Sequence, residues 1–388
     1  MSRRSANVLR FTSIHLENWR NFLRVHVALQ KRVFLVGPNA SGKSNFLDTF
    51  RFLRDLASEG GGFREAVGRR GGVTSLRCLA ARRYPEIAVN AKVGADGVPP
   101  RWEYELRFAQ DSQGRPVVRK ERVARDGTTL FTRPLPEDEE DPERLSQTHL
   151  EQVNVNREFR ELVSFFRSTR YLHVVPQLVR EPDRSVGRTN DPYGGDFLEQ
   201  MARTSERTRE ARLRRIRDAL RVAVPQLQEV ELKRDARGTP HLRGKYEHWR
   251  PRGAWQSEDR FSDGTLRLLG LLWSILDGSG PLLLEEPEIS LHPEVVRYVP
   301  QLFARIQRRG GRQVMLTTHS PELLLDEGVG LDEVLLLEPQ DEGTSVRPAA
   351  EYEEIQQLLK GGLSLAEAVI PRTRPEKARQ LLLFGGES

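Results

Sequence analysis

Residues 37–44 read Gly-Pro-Asn-Ala-Ser-Gly-Lys-Ser, and no other stretch restricts the possible folds as strongly. An apolar run, Arg32-Val33-Phe34-Leu35-Val36, suits a buried strand just before it, and Asn45 to Leu53 suits a helix with one apolar face just after. Strand, glycine loop and helix in that order is the context in which such a segment binds phosphate. Gly37 and Gly42 permit the tight turn that lets loop N–H groups face phosphate oxygens, and the helix N-terminus adds partial positive charge. The candidate nucleotide contacts are therefore Gly37, Pro38, Asn39, Ala40, Ser41, Gly42, Lys43, Ser44 and Asn45. Lys43 is the countercharge to the β- and γ-phosphates, and the Ser44 hydroxyl is a ligand for Mg²⁺. The chain is predicted to bind a nucleoside triphosphate.

The partners of this loop lie far downstream. Pro281-Leu282-Leu283-Leu284 reads as a buried strand that ends in Glu285-Glu286-Pro287-Glu288. Carboxylates at the C-terminal end of a parallel strand stand where open α/β sheets bind ligands. One can support the metal while the next deprotonates an attacking water. A second apolar strand, Gln313 to Thr318, ends in His319-Ser320-Pro321, which places an imidazole within reach of a γ-phosphate. Between these lies Phe261-Ser262-Asp263-Gly264-Thr265-Leu266-Arg267 and then an apolar helix; Ser262 or Asp263 is the expected N-cap.

The ordered set GPNASGKS, FSDGT, LLLEEPEISLHP and TTHSPELL resembles the ATP-binding-cassette type ATPase heads of the RecF, SMC and OLD group. More narrowly, it is similar to stand-alone bacterial P-loop ATPases of about this length, and Phe11 to Phe22 resembles their first strand and turn. The resemblance implies an α/β fold of ABC-ATPase head type: a mixed sheet with an antiparallel β subdomain and a helical insertion. It assigns phosphate and Mg²⁺ binding to Gly37, Asn39, Gly42, Lys43 and Ser44. Metal support falls to Glu285, the general base to Glu286 and γ-phosphate sensing to His319. Ser262, Gly264 and Thr265 become the signature segment that presses on ATP held by a partner subunit, with Ser290, Leu291 and His292 crossing the same interface. Arg20 and Asn21 fall where relatives approach the nucleotide. Two departures stand out. Glu285 occupies a position usually held by the shorter Asp, and the signature reads SDGT rather than the SGG of transporters. Gln152 and Gln177 are both candidates for the glutamine loop.

Composition bounds the rest. The longest apolar stretch, near Leu268 to Leu276, falls well short of the ~20 residues a bilayer span needs. The first residues carry no apolar signal region, and the single cysteine, Cys78, excludes an internal disulfide framework or a zinc knuckle. These features predict a cytoplasmic protein with no membrane partner. A net charge of +6 permits contact with nucleic-acid phosphates without requiring it.

Five segments are expected. Residues 1–72 form the N-terminal part of the head, 73–133 an antiparallel β subdomain, 134–250 a helical insertion with linking strands, 251–340 the C-terminal part of the head, and 341–388 an extension. Gly60 to Gly72 reads as a flexible connection, Glu137 to Asp141 as a solvated acidic loop, and 145–169 as helical. A strand is expected at Tyr171–Val175 and another around Val230. The arginine-rich run from Arg203 to Arg217 is either a DNA-facing helix or a solvated face with i,i+4 charge pairs, docked through Leu213, Ile216 and Leu220. No acidic cluster of the kind a Toprim nuclease uses is present after Val334.

The resemblance implies an ATP-hydrolysing switch that homodimerises around two ATP–Mg²⁺ and couples to double-stranded DNA, in repair or antiphage defence, or to a separately encoded nuclease or toxin. A regulator of a toxin without DNA contact is the alternative. A transporter subunit fits less well, and a GTPase is disfavoured because no Asn-Lys-x-Asp base-reading motif occurs.

Overall fold

The computed structural model describes residues 8–81, 85–185, 191, 193–247 and 254–374, so the last part of the expected 341–388 extension lies outside the described residues. The described strands form three sheets. The first is antiparallel, in the order β2-β1-β4-β5-β6-β7: β1 Arg10–Trp19, β2 Phe22–Ala28, β4 Ile87–Gly94, β5 Trp102–Gln110, β6 Pro116–Arg125 and β7 Thr128–Arg133. The second has the order β15-β14-β3-β13-β12-β8: β3 Arg32–Val36, β8 Arg170–Leu172, β12 Leu282–Glu285, β13 Val314–Thr318, β14 Val334–Gln340 and β15 Gly343–Pro348. Its pairs are parallel except β14 with β15. A third, small sheet, β11-β10-β9, joins β9 Leu227–Arg234, β10 Pro240–Tyr246 and β11 Ala254–Ser257.

The parallel strands are buried on both faces, as sheets covered on both sides require, and their side chains alternate between two cores. Val33, Leu35, Leu283 and Met315 face the first core, where the P-loop helix (Lys43–Ala57) and the helix Arg160–Ser168 pack against the antiparallel sheet. Phe11 anchors this layer, with ring centroids 4.7 Å from Phe50 and 4.9 Å from Phe165. Phe34, Val36, Leu282, Leu284 and Leu316 face the second core, shared with the signature helix (Asp263–Leu276) and the arginine-rich helix (Glu206–Ala223). The antiparallel sheet turns a polar face outward, where Arg107 bridges Glu17 and Glu105, and Lys92 and Arg122 flank Glu103.

Several expectations need correction. The meander β4–β7 is one sheet with β1 and β2, because β1 pairs with β4, so a boundary at 72/73 cuts through a continuous sheet. Gly60–Gly72 is no flexible link. It carries the helices Phe63–Gly68 and Gly72–Leu76, with Phe63, Ala66 and Val67 buried. Arg70, also buried there, donates two hydrogen bonds of 2.8 Å to the Asp48 carboxylate and one of 3.0 Å to Asp55. The acidic segment is not wholly solvated. Asp138 is buried and receives two bonds from the buried Arg133, which hold its carboxyl well below the ordinary range. Only Arg160–Ser168 of the 145–169 stretch is α-helical, and the strand expected at 171–175 is the short β8. The strand near Val230 is β9, the edge of the third sheet. In the arginine-rich helix, Leu213, Ile216 and Leu220 are the buried residues, while Arg212 pairs with Asp277 across the core edge rather than along its own helix.

Beneath the meander His149 is buried against the Phe131 ring, with neither ring nitrogen hydrogen-bonded. Burial, then the Arg133 charge, push it down to about 4. The unfolded chain therefore binds a proton near pH 6.5 that the folded chain refuses until about pH 4, and stability falls as pH drops through that window. Replacing His149 by Phe should remove this contribution. Urea titrations between pH 7 and pH 4 should give the wild type a stability–pH slope steeper than that of the variant by up to about 1.4 kcal/mol per pH unit.

Candidate functional site

Three parallel strand ends build the site. β13 pairs with β3 on one side and β12 on the other, in register Thr318 with Val36 and Thr317 with Glu285. The loop after Val36, the carboxylates at the end of β12 and His319 are therefore neighbours at one edge of the sheet.

Gly42 adopts φ 93° at the start of the P-loop helix, a conformation that penalises any side chain. A Cβ on Gly37 would stand 2.5 Å from the Leu337 carbonyl. The first helical N–H groups have no intrahelical acceptor and face outward with exposed Asn39, Ala40 and Ser44. Lys43 is buried, and its ammonium donates to the Gly37 and Pro38 carbonyls at 3.0 Å each. Burial pushes its pKa down, while Glu286, Glu285 and Glu288 pull it back up. A bound phosphate would draw this ammonium off the two carbonyls.

The Ser44 hydroxyl and the Glu285 carboxylate are in direct hydrogen-bond contact, and Tyr171 donates to the other Glu285 oxygen. A hydroxyl and a carboxylate facing each other at a phosphate loop are hard oxygen donors suited to Mg²⁺, which binds through one or two such groups plus phosphates and water. Among the described residues no group of three or more His, Cys, Asp or Glu is arranged to hold a metal alone.

Glu286 has φ 41°, and its N–H donates to Thr317 Oγ1 at 3.0 Å. This turn separates the Glu286 side chain from the strand and brings it 3.5 Å from His319 Nε2. Burial, then the nearby Lys43 charge, lower the His319 pKa, so the ring is neutral at pH 7. Its buried Nε2 has no hydrogen-bond partner. Glu288, not among the expected site residues, accepts from Thr318 Oγ1 at 2.5 Å and from the His319 N–H at 3.2 Å. It ties the carboxylate loop to the histidine; the signal was the third acid of Glu-Glu-Pro-Glu.

Asn21 does not point into open solvent. Its side-chain amide donates to the Ser41 carbonyl at 2.9 Å and to Thr344 at 2.8 Å, and Asn45 donates to its oxygen, so it clamps the loop. Arg20, with φ 54°, turns toward Asp48 on the flank of the P-loop helix at 3.4 Å. Ser262 caps the signature helix by accepting from the Thr265 N–H at 3.2 Å. Gly264 backs onto the loop after Glu286, where a Cβ would meet the Ser290 carbonyl at 2.5 Å. Ser262 and Ser290 are both exposed. Neither glutamine candidate lines the Ser44–Glu285 corner: Gln177 is exposed on the short helix Pro176–Val179, and Gln152 bonds to Gln147. Tyr171 and His173, on and just after β8, stand there instead.

The fold is that of SMC heads. A Smc head bound to the C-winged-helix domain of ScpA superposes with a TM-score of 0.53 at 12% identity, over 87% of this chain and 97% of that one. A Smc head with an extended coiled coil, bound to the C-terminal domain of ScpA, from Pyrococcus furiosus, gives 0.51 at 11% identity over 91% and 100%. A Smc head with coiled coil and joint from Pyrococcus yayanosii gives 0.51 at 10% identity over 91% and 99%. No curated protein matches the chain. Residues 32–326 match the family model described as AAA domain, putative AbiEii toxin, Type IV TA system. Carrying its phosphate loop, acidic strand end and histidine on an SMC-head fold, the chain belongs to this AAA family.

Proposed function

We propose that the protein is a slow ATPase switch that closes as a homodimer around two ATP–Mg²⁺ and opens on hydrolysis. The observation that carries this reading is the convergence of Lys43, Ser44, Glu285, Glu286 and His319 on one sheet edge, with an exposed, capped helix start at Ser262. The Gly37–Asn45 loop holds the triphosphate, and Lys43 leaves the loop carbonyls to neutralise the β- and γ-oxygens. Ser44 and Glu285 supply the protein donors for Mg²⁺, which offsets charge on the phosphates when bound. Glu286 accepts a proton from a water as its oxygen attacks the γ-phosphorus, the bond to the bridging oxygen breaks, and ADP leaves with phosphate. Neutral His319 donates from Nε2 to a γ-phosphate oxygen.

The signature segment Ser262, Gly264 and Thr265 bonds within itself and backs onto Ser290, which leaves the free N–H groups of its first turn for a phosphate held by a second copy. Hydrolysis removes the shared γ-phosphate and with it the contact that favours the closed state. The closed dimer couples to double-stranded DNA or to a separate protein effector. The family description, with its toxin–antitoxin term, favours an effector at least as much as DNA.

Lys43→Ala should remove measurable ATP binding or turnover, checked by equilibrium binding of a labelled ATP and by phosphate release. Glu286→Gln should bind ATP normally yet lower turnover by about 100-fold or more, a general base being worth roughly 10²–10⁴. The mass of Glu286→Gln in solution, with and without ATP–Mg²⁺ and duplex DNA, tests the rest. An ATP-dependent dimer that retains DNA supports a DNA clamp, and a dimer indifferent to DNA supports a protein effector. A monomer under all conditions sinks the sandwich.

A further inference from the structure

A cavity of about 590 Å³ opens on the flank of the P-loop helix and touches the triphosphate machinery only at one corner. Ser44, Asn45 and Glu285 line that corner, and Arg20 stands beside it, but none of residues 37–43 faces the cavity. From Ser44 it follows the helix to Asp55, a rise of about 16 Å, and ends against Arg69 and Arg70. Its size falls within the range of small-molecule sites, about 300–1,000 Å³.

Five arginines and three carboxylates line it. The carboxylates are already engaged: Asp48 and Asp55 by Arg70, and Glu285 by Ser44 and Tyr171. Arg20 and Arg51 are less fully engaged. Each reaches Asp48 only at 3.4–3.7 Å, and each holds a buried Nε–H with no acceptor. Such a donor is costly to leave unmet and calls for an oxyanion. Arg51 is held in place by stacking on the Tyr171 ring at 4.1 Å. The mouth is aromatic: Tyr193 is 55% exposed and meets His173 edge-on at 6.2 Å. An exposed tyrosine lining the same cavity as two half-buried arginines makes no sense as core packing, but it suits a base next to a phosphate.

We propose that this cavity is a second ligand site, distinct from the triphosphate cradle, for a small nucleotide carrying one or two phosphates. Its phosphate lies against Arg20 and Arg51 and its base against Tyr193 and His173. Because the two sites share the Ser44–Glu285 corner, occupancy of one alters affinity at the other, and by linkage the effect is reciprocal.

The test is calorimetric titration of the full chain with AMP and with GMP, with the cradle saturated by a non-hydrolysable ATP analogue and Mg²⁺. One further site per chain is expected for at least one of the two. Tyr193→Ala and Arg51→Gln should each weaken it by about tenfold, the loss of one charge-assisted or stacking contact, with thermal melts confirming that both variants fold. Tyr193 is surface-exposed, so its variant keeps the test available if Arg51→Gln is unstable. Lys43→Ala should retain monophosphate binding while losing the triphosphate; if it still binds ATP, the cradle assignment fails and the second site stands. The proposal is overturned if neither monophosphate binds at millimolar concentration, or if the ATP analogue competes one for one. Binding indifferent to both variants overturns it too, as does a cavity that takes only a single-stranded oligonucleotide.

Discussion

Everything chemical in this molecule depends on where β13 lies. By pairing in parallel with both β3 and β12, it brings the ends of those two strands, Val36 and Glu285, to the same edge although they are far apart in sequence: Val36 lies opposite Thr318, and Glu285 opposite Thr317. Two side-chain bonds then fix the carboxylate loop to the strand end, Glu286 N–H to Thr317 and Thr318 to Glu288. Glu286, Glu288 and His319 are therefore tied to one strand end. The positive φ at Glu286 is sustained by that lacing, in keeping with the tendency of backbone strain to gather at functional sites.

The sheet can do this only because both of its faces are covered. Alternate residues of β3 serve two separate cores, and the helix that begins at Lys43 fills the gap to the antiparallel sheet. Buried ion pairs reinforce this layer. Arg70 neutralises Asp48 and Asp55 at its rim, and Arg133 does the same for Asp138 under the meander. In such places removal of one partner strands a charge, which usually costs more than the pair contributes. Among the described residues no helix is long and apolar enough to cross a membrane.

Much of this was legible in the sequence. The loop, the acidic strand end and the histidine are local patterns, each a short apolar run with chemistry at its C-terminal end, and the docking face of the arginine-rich helix followed from helical spacing. What was not legible depends on distant partners. The pairing of β1 with β4 spans some 70 residues, which no periodicity encodes. Glycines at 60–72 signalled mobility because the acceptors of Arg70, at Asp48 and Asp55, lie on a different helix. Asp138 looked like one more surface acid until Arg133 was placed beside it. Neither glutamine candidate, Gln152 or Gln177, reaches the Ser44–Glu285 corner, where Tyr171 and His173 stand. The hairpin from β9 to β10 had a signal, the turn Asp235 to Gly238, that a reading centred on the arginine run passed over.

The clamp formed by Asn21 has a consequence for what counts as the minimal folding unit. Its one amide joins the turn after β1, the phosphate loop through Ser41, and the start of β15 through Thr344. Gln313 similarly bonds to both the N–H and the carbonyl of Phe11, stitching the first strand to β13. The segment that matches the AAA family, residues 32–326, excludes both Asn21 and Thr344. A fragment cut to those bounds would carry every motif yet lack the brace that holds its loop in shape. Competence in this head is a property of chain closure, the two flanks meeting over the motif between them.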